Sequence, residues 1–409
     1  MFKRIAAICF IFFCTAVAWG ILGSTIFYRT YEGGDSLSAR VASTWGTAQE
    51  QEPPAIRYRK QIERVVESEE KGQKVTRTVK SSVDVKPGLD SSRISADFHL
   101  DYRQKGLLWF STYTVGFAGD YGFRNPSEQE ETFYVTLPFP AKQAVYDNVE
   151  LSLDGKPLAV TITDAGVSAQ GPVGGGKTAV LRAVYHSRGL DRWSYKLGEG
   201  VTQAKDFQLQ MTTNFGGFDF PDNTLSPTEK KAAGKGWELD WKYQNLVTGF
   251  QIALKMPQKL QPGPLAGRIS YFAPVSLFFF FFLVFLLTTL RGIDLHPMNY
   301  FFLACAFFSF HLLLAYLADH ISIHWAFVIC SAVSIFLVVS YLRLAVSLRF
   351  AAVEAALAQL IYLVLFSYAF FFEGMTGLIV TIGAILTLFV IMQVTGRIRW
   401  SEKFLAPGK

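Results

Sequence analysis

Residues 269–290 read ISYFAPVSLFFFFFLVFLLTTL, a stretch without a single charge. An α-helix needs about 20 apolar residues to cross roughly 30 Å of hydrocarbon, so this stretch predicts a membrane-spanning helix. Four further runs follow with only short polar breaks: Tyr300 to Leu317, Ile323 to Leu342, Ala351 to Phe372 and Met375 to Val394. One such run could be a buried helix of a soluble protein, but five in tandem could not all find a soluble core to cover them. The last third of the chain is therefore expected to lie in a bilayer, and the rest must be placed relative to it. The Phe278 to Phe282 run fits a lipid-facing or packing surface.

Upstream, Lys3 and Arg4 precede an apolar run from Ile5 to Phe27. Ala16-Val17-Ala18 resembles a signal cleavage site, yet the apolar stretch continues through Trp19 and is long enough to span, so an uncleaved anchor is expected. Lys and Arg in short loops are retained on the cytoplasmic side during insertion. Lys3, Arg4, Arg291, Arg343, Arg349, Arg397, Arg399, Lys403 and Lys409 all fall on one side of a six-helix arrangement, while the alternate turns carry no Lys or Arg. Both termini are then cytoplasmic, and residues 28–268 are periplasmic in a multi-pass protein of a bacterial inner membrane.

The net charge of +6 does not imply a nucleic-acid surface. Residues 28–268 hold 30 Lys and Arg against 28 Asp and Glu, so the excess sits mainly at the membrane flanks. Cys9, Cys14, Cys305 and Cys330 all lie in expected spans. The exported part has no cysteine, so it must be held by its own core, for which about 240 residues suffice.

Within the exported part the apolar period is two. Ile94, Ala96, Phe98, Leu100 and Tyr102 alternate with Ser95, Asp97, His99, Asp101 and Arg103, as a half-buried strand requires. Val149, Leu151 and Leu153 alternate likewise, turn at Asp154-Gly155, and continue through Leu158, Val160 and Ile162; Asp-Gly between alternating runs is a strong hairpin signal. Ile56 to Lys86 fits a polar hairpin turning near Glu70-Lys71-Gly72. Further runs at Leu107 to Phe117, Phe133 to Leu137, Ala179 to Tyr185, Phe207 to Met211, Trp237 to Tyr243 and Phe250 to Met256 complete about ten strands. An antiparallel β-sandwich is expected. The layout is an N-terminal anchor at 1–27, a stalk at 28–54, an extracytoplasmic β-sandwich at 55–260, a connector at 261–268, a five-helix transmembrane bundle at 269–394 and a cytoplasmic tail at 395–409.

Gly171-Pro172-Val173-Gly174-Gly175-Gly176-Lys177-Thr178 matches the phosphate-binding G-x-x-x-x-G-K-[ST] pattern. That chemistry needs a helix after the loop to hold the phosphates at its N-terminus, whereas Thr178 to Tyr185 alternates as a strand, so a glycine turn is expected. Asp319, His320 and His324 in one external turn and Glu373 in another are residue types that bind divalent metal. Polar residues at span ends also serve as interfacial caps, which is the expectation here. Deeper in the membrane an ionisable group is costly, about 2.5–3.5 kcal/mol at the centre, so His311 and Glu354 stand out. Glu354 is expected to pair with Arg349 or Arg343.

Leu295-His296-Pro297, the Leu312 to Ile321 stretch with Asp319-His320, Glu373 before a Gly-rich aliphatic run, and Gly396-Arg397-Ile398-Arg399-Trp400 resemble the CreD family of bacterial inner-membrane proteins. Thr44-Trp45-Gly46 with Gln49, Gln51 and Pro54 resembles the segment after that family's first helix. The resemblance implies a cell-envelope protein linked to envelope integrity and stress response, with no catalytic residues to carry over. A non-enzymatic protein without cofactor is thus expected, its β domain binding a periplasmic protein, glycan or cell-wall partner beside the lipid bilayer. The alternatives are a transporter or channel using His311, Asp319, His320 and Glu354, and a metal-dependent membrane hydrolase using Asp319, His320, His324 and Glu373.

Overall fold

The computed structural model describes residues 2–70, 73–164, 166–198 and 200–396. The chain divides into two units. One comprises the described residues of Met1–Ser36, Lys105–Leu108 and Leu260–Lys409; the other comprises those of Leu37–Gln104 and Trp109–Lys259.

The first unit is helical. All six expected apolar runs, but for Phe372 and Met375 at their ends, lie inside helices long and apolar enough to cross a membrane. These are α1 (Phe2–Trp45), α2 (Pro262–Arg291), α3 (Pro297–Leu317), α4 (Ile323–Ala345), α5 (Phe350–Phe371) and α6 (Thr376–Thr395). Their ends follow from local chemistry. Gly292 stops α2 in the left-handed region at φ 66°, and the Ile293 amide returns to Thr288 O at 2.8 Å, closing a C-cap. His296 caps α3 by accepting from the Met298 amide, with Pro297 at the first helical position. That gives Leu295-His296-Pro297 a structural role.

Aromatic contacts hold the helices together. Trp19 of α1 is fully buried and meets Phe308 and His311 of α3 edge-on, with centroids 5.3 and 5.6 Å apart. Phe280 of α2 packs on Phe307 of α3 at 5.0 Å. α5 is irregular: Phe350–Ala355 and Leu360–Leu365 are π-helical turns, and Ala369–Phe371 ends it in a 3₁₀ turn. In α6 Thr387 is the one buried residue.

The second unit is β-rich. Its strands begin with β1 (Gln49–Gln51), β2 (Ala55–Glu70), β3 (Gln73–Val85), β4 (Leu89–Lys105), β5 (Leu108–Arg124), β6 (Glu131–Pro138), β7 (Tyr146–Leu153) and β8 (Lys156–Pro157). They continue with β9 (Thr161–Thr163), β10 (Gly166–Val173), β11 (Thr178–Leu190), β12 (Arg192–Tyr195), β13 (Thr202–Thr213), β14 (Glu229–Ala233), β15 (Gly236–Thr248) and β16 (Ile252–Lys255). Three sheets result, in the orders β1-β12-β16, β3-β2-β6-β10-β9 and β14-β15-β13-β4-β5-β11-β7-β8. One core draws on all three, including Trp193, Phe133, Phe117, Tyr185, Leu209 and Trp241. Phe117 and Tyr185 are directly paired across β5 and β11, and their rings stack at 4.8 Å. The other side of the same strands faces out, as the period of two demands.

The pairing is mostly antiparallel, but β4 runs parallel to β13 and β1 parallel to β12. Apolar alternation reports which face of a strand is buried and is blind to its direction, so these two pairings differ from the purely antiparallel expectation. Asp154 and Gly155 both have positive φ, 47° and 77°, the signature of the expected tight hairpin turn. β2 and β3 form the expected long hairpin from Tyr58↔Val85 to Glu70↔Gln73, and its turn at 71–72 lies outside the described residues.

Two segments read as connectors are partly helical. α1 continues through the polar stretch to Trp45, because no proline interrupts residues 2–45, and it stops where Gly46 takes φ 112°. Likewise α2 begins at Pro262, within the Pro- and Gly-bearing connector, since proline is tolerated in a first turn. The tail from residue 397 on lies outside the described residues.

Candidate functional site

On the outward face of the eight-stranded sheet, β4, β5, β7 and β11 form a polar groove of about 600 Å³. Register sets its floor and walls. Gly116 of β5 lies directly opposite His186 of β11, and Thr114 opposite Arg188. Across β11, His186 meets Asp147 of β7, where a bulge between Val184 and His186 shifts the register. Bulges locally re-aim the side chains they flank, and His186 is the residue next to this one. Asp97 and His99, two apart on β4, supply the opposite wall.

Gly116 keeps the floor open. A Cβ there would sit 3.5 Å from His186 Nε2 and 4.0 Å from Asp97 Cβ, so the missing side chain leaves a gap between an imidazole and a carboxylate. Tyr146 closes one end. Its hydroxyl accepts from the Ala141 amide at 2.9 Å and donates to Ala141 O at 2.7 Å, and burial pushes its pKa up to about 12. It therefore stays neutral, offering a ring edge rather than a charge. Arg188 lines the groove and also lies over Trp45, 4.8 Å from the ring, with Arg103 at 3.7 Å from the same ring. The groove thus combines carboxylates, imidazoles, a guanidinium and an aromatic edge, a set suited to hydroxyl- and amide-rich ligands.

Beyond Trp45, Gln49 and Gln51 are buried polar side chains. Gln49 Nε2 donates to Ser187 Oγ at 2.7 Å and to Arg188 O at 2.8 Å; Gln51 Oε1 accepts from Tyr185 at 2.7 Å. This segment carries part of the family resemblance and falls within the expected stalk at 28–54. Its glutamines are instead buried and bonded through Gln49 Nε2 and Gln51 Oε1, next to the groove's own Ser187 and Arg188, while Gln49 Oε1 has no hydrogen-bond partner among the described residues.

The glycine loop is a turn between β10 and β11. Strand β11 stands where phosphate binding would need a helix, and Ser127 O already takes the Gly176 amide at 2.8 Å. Asn125 Nδ2 ties the loop down by donating to Val173 O at 2.8 Å. The motif match is structural.

In the helical unit, the expected polar cluster is divided between ion pairs. Asp319 meets Arg29 at 3.0 Å and Glu373 meets Arg268 at 3.7 Å. His324 is exposed and its ring lies 5.3 Å from that of Phe371; His320 is exposed. Among the described residues, no three His, Cys, Asp or Glu side chains come together as a metal site. Glu354 pairs with Arg291 of α2 at 2.5 Å, not with Arg349 or Arg343. The reason is that the π-helical turn containing Glu354 alters the angular spacing of α5, and the partner is 63 positions away in sequence.

His311 is fully buried, its Nδ1–H donating to Phe307 O at 3.1 Å and its Nε2 without a hydrogen-bond partner among the described residues. Gln359, which sequence reading passed over, lies between the two π-helical turns and is also fully buried. Its Nε2 donates to Ser334 Oγ at 2.7 Å, and that hydroxyl donates to Ala306 O at 2.6 Å, linking α5, α4 and α3. The signal was present: an amide inside an otherwise apolar run is costly in lipid unless it is bonded.

The profile of the family described as inner membrane protein CreD matches residues 1–401. The chain belongs to this family. The CreD match spans the β-rich unit as well as the apolar helices, so it extends over the glycine loop and the groove. CreD is an inner-membrane protein family and is not a known enzyme family. A comparison with curated proteins found no match. Among solved structures, a protein of Legionella pneumophila described as nutrient-binding is similar at 10% identity and a TM-score of 0.36, over 57% of this chain and 76% of that one. An M1 zinc metallopeptidase of Deinococcus radiodurans is similar at 12% identity and a TM-score of 0.26, over 41% of this chain and 42% of that one. Neither likeness is close enough to transfer a fold or an activity to this CreD-family chain.

Proposed function

We propose that this CreD-family protein is a non-enzymatic envelope-integrity and stress-response protein whose β unit, layered as a sandwich on the periplasmic side, binds a cell-wall glycan or peptide. The observation that carries the reading is the groove over Gly116, with Asp97, His99, Asp147, His186 and Arg188 around an open floor. Hydroxyl- and amide-rich ligands are recognised by convergent donors and acceptors beside an aromatic edge, which is what these residues offer. Charge supports this orientation: in a six-helix arrangement the nine Lys and Arg of the termini and short loops fall on one side, in keeping with cytoplasmic termini.

Titration of the full-length protein in detergent with soluble disaccharide-peptide wall fragments tests this. Binding in the micromolar to millimolar range, about −8 to −4 kcal/mol, is expected, weakened at least about tenfold in the Asp97→Ala, His186→Ala double variant. Equal binding by the variant, or none by the parent protein, overturns the reading.

Transport through the bundle is the second reading, favoured by His311 Nε2 and Gln359 Oε1, which have no hydrogen-bond partner among the described residues within apolar helices. It requires Gln359→Leu to change a flux measured in liposomes. The hydrolase reading is the weaker one, since arginines hold Asp319 and Glu373.

A further inference from the structure

A second cavity, of about 310 Å³, lies between α1 and α2 and is lined only by apolar side chains and Cys9. Ile5, Ile8 and Phe12 form one wall, and Phe278, Phe281 and Phe282 the other. Arg4 immediately precedes this wall. Its Nη1 donates to Asp294 at 3.0 Å, while Nε and Nη2 are buried and without a hydrogen-bond partner among the described residues. Those two nitrogens form the lateral edge of the guanidinium, whose parallel N–H bonds match two oxygens of an oxyanion.

The buried Tyr300 hydroxyl adjoins this edge. It lies in side-chain hydrogen-bonding range of Thr288 and Arg4, though without a well-aligned bond among the described residues, and its ring meets Phe281 of the groove edge-on at 5.3 Å. Asp294 pairs with the guanidinium through the other nitrogen and its own side chain is 96% exposed, so it leaves the Nε and Nη2 edge unbonded. A guanidinium edge without a well-aligned partner, a phenol hydroxyl next to it and an apolar slot suit a ligand with an oxyanion at one end and hydrocarbon at the other.

We propose that α1 and α2 hold a phospholipid, with an acyl chain in the groove, the phosphodiester on the Nε and Nη2 edge of Arg4, and the Tyr300 hydroxyl donating to a phosphate oxygen. A second helix could cover the groove but would bring no oxyanion to Arg4, and free phosphate would leave the groove empty. Lys3 adds attraction for an anionic headgroup.

Native mass spectrometry of the full-length protein released from detergent tests the site with three probes: dioleoyl phosphatidylglycerol, dioleoylglycerol and inorganic phosphate. The phosphatidylglycerol adduct is expected to survive, and dioleoylglycerol and phosphate each to bind at least about tenfold more weakly, the cost of losing either the bidentate anion or the buried chain. R4Q removes the fork, and C9W fills the groove from its exposed lining position; each should weaken phosphatidylglycerol binding by a similar factor. D294N leaves the fork intact and should bind at least as well as the parent. Dioleoylglycerol or phosphate binding as tightly as phosphatidylglycerol overturns the proposal, whether or not the variants fold. So does R4Q binding like the parent.

Discussion

Replacing Gly116 separates the groove's function from the stability of its sheet. Glycine within a strand is destabilising by roughly 0.5–1 kcal/mol relative to alanine, because it loses more backbone freedom on folding. At Gly116 φ is not in the left-handed region, and a new Cβ would meet His186 Cδ2 and Nε2 at 3.5 Å and Asp97 Cβ at 4.0 Å, ordinary contact distances. Gly116→Ala should therefore stabilise the β unit by about 0.4–1 kcal/mol, acting through the unfolded chain. For a unit of this size that is a rise in Tm of about 1–4 °C. Gly116→Val carries its branches further into the gap between imidazole and carboxylate and should block wall-fragment binding without unfolding the sheet. Thermal unfolding of the full protein followed by tryptophan fluorescence reads the first effect, since Trp193 and Trp241 are fully buried in the β core. A fall in Tm for Gly116→Ala, or undiminished binding by Gly116→Val, would refute the reasoning.

Other outcomes follow from the same geometry. Gly175→Ala should destabilise the β unit by about 1–3 kcal/mol, because its Cβ would strike the backbone of Glu128, whereas Lys177→Ala should change stability by less than about 0.5 kcal/mol; thermal melts of both decide whether the loop is structural. Burial raises the Asp191 carboxyl above its ordinary 3.8, the Ser111 backbone and Lys255 opposing, so its contribution is fully present below that value and lost as pH rises through the folded pKa. Asp191→Asn, at a position with φ 61° that Asn tolerates, should melt higher than the parent at pH 7, with the gap closing toward pH 4 in a pH series. Ser334→Ala removes the acceptor of Gln359 and should cost about 0.6–1.7 kcal/mol in unfolding from mixed micelles, a loss that Gln359→Leu in the same background should partly restore.

The helices were legible because a bilayer imposes a length: Ile269 to Leu290 can be read without knowing what it packs against. The strands were legible because Ile94, Ala96 and Phe98 have to face one way and Asp97 and His99 the other. Quantities that depend on distant residues were not. Arg291 rather than Arg349 holds Glu354 because π-helical turns interrupt α5, and no local pattern announces them. Gln49 and Gln51 fell within a polar stretch read as a stalk, since their burial rests on Ser187, Arg188 and Tyr185 more than a hundred positions away. The groove was invisible for a related reason. Its residues are ordinary outward positions of four strands, and only the β5–β11 and β7–β11 registers set Gly116, His186 and Asp147 side by side.

The most direct measurement is crosslinking in living cells from a photoreactive amino acid placed at His99 in the groove, with Ile162, exposed on β9 of the five-stranded sheet, as the control position. The account predicts a discrete adduct with a cell-wall component from position 99 and none from position 162. Equal labelling from both positions, or no envelope adduct from position 99, would contradict it.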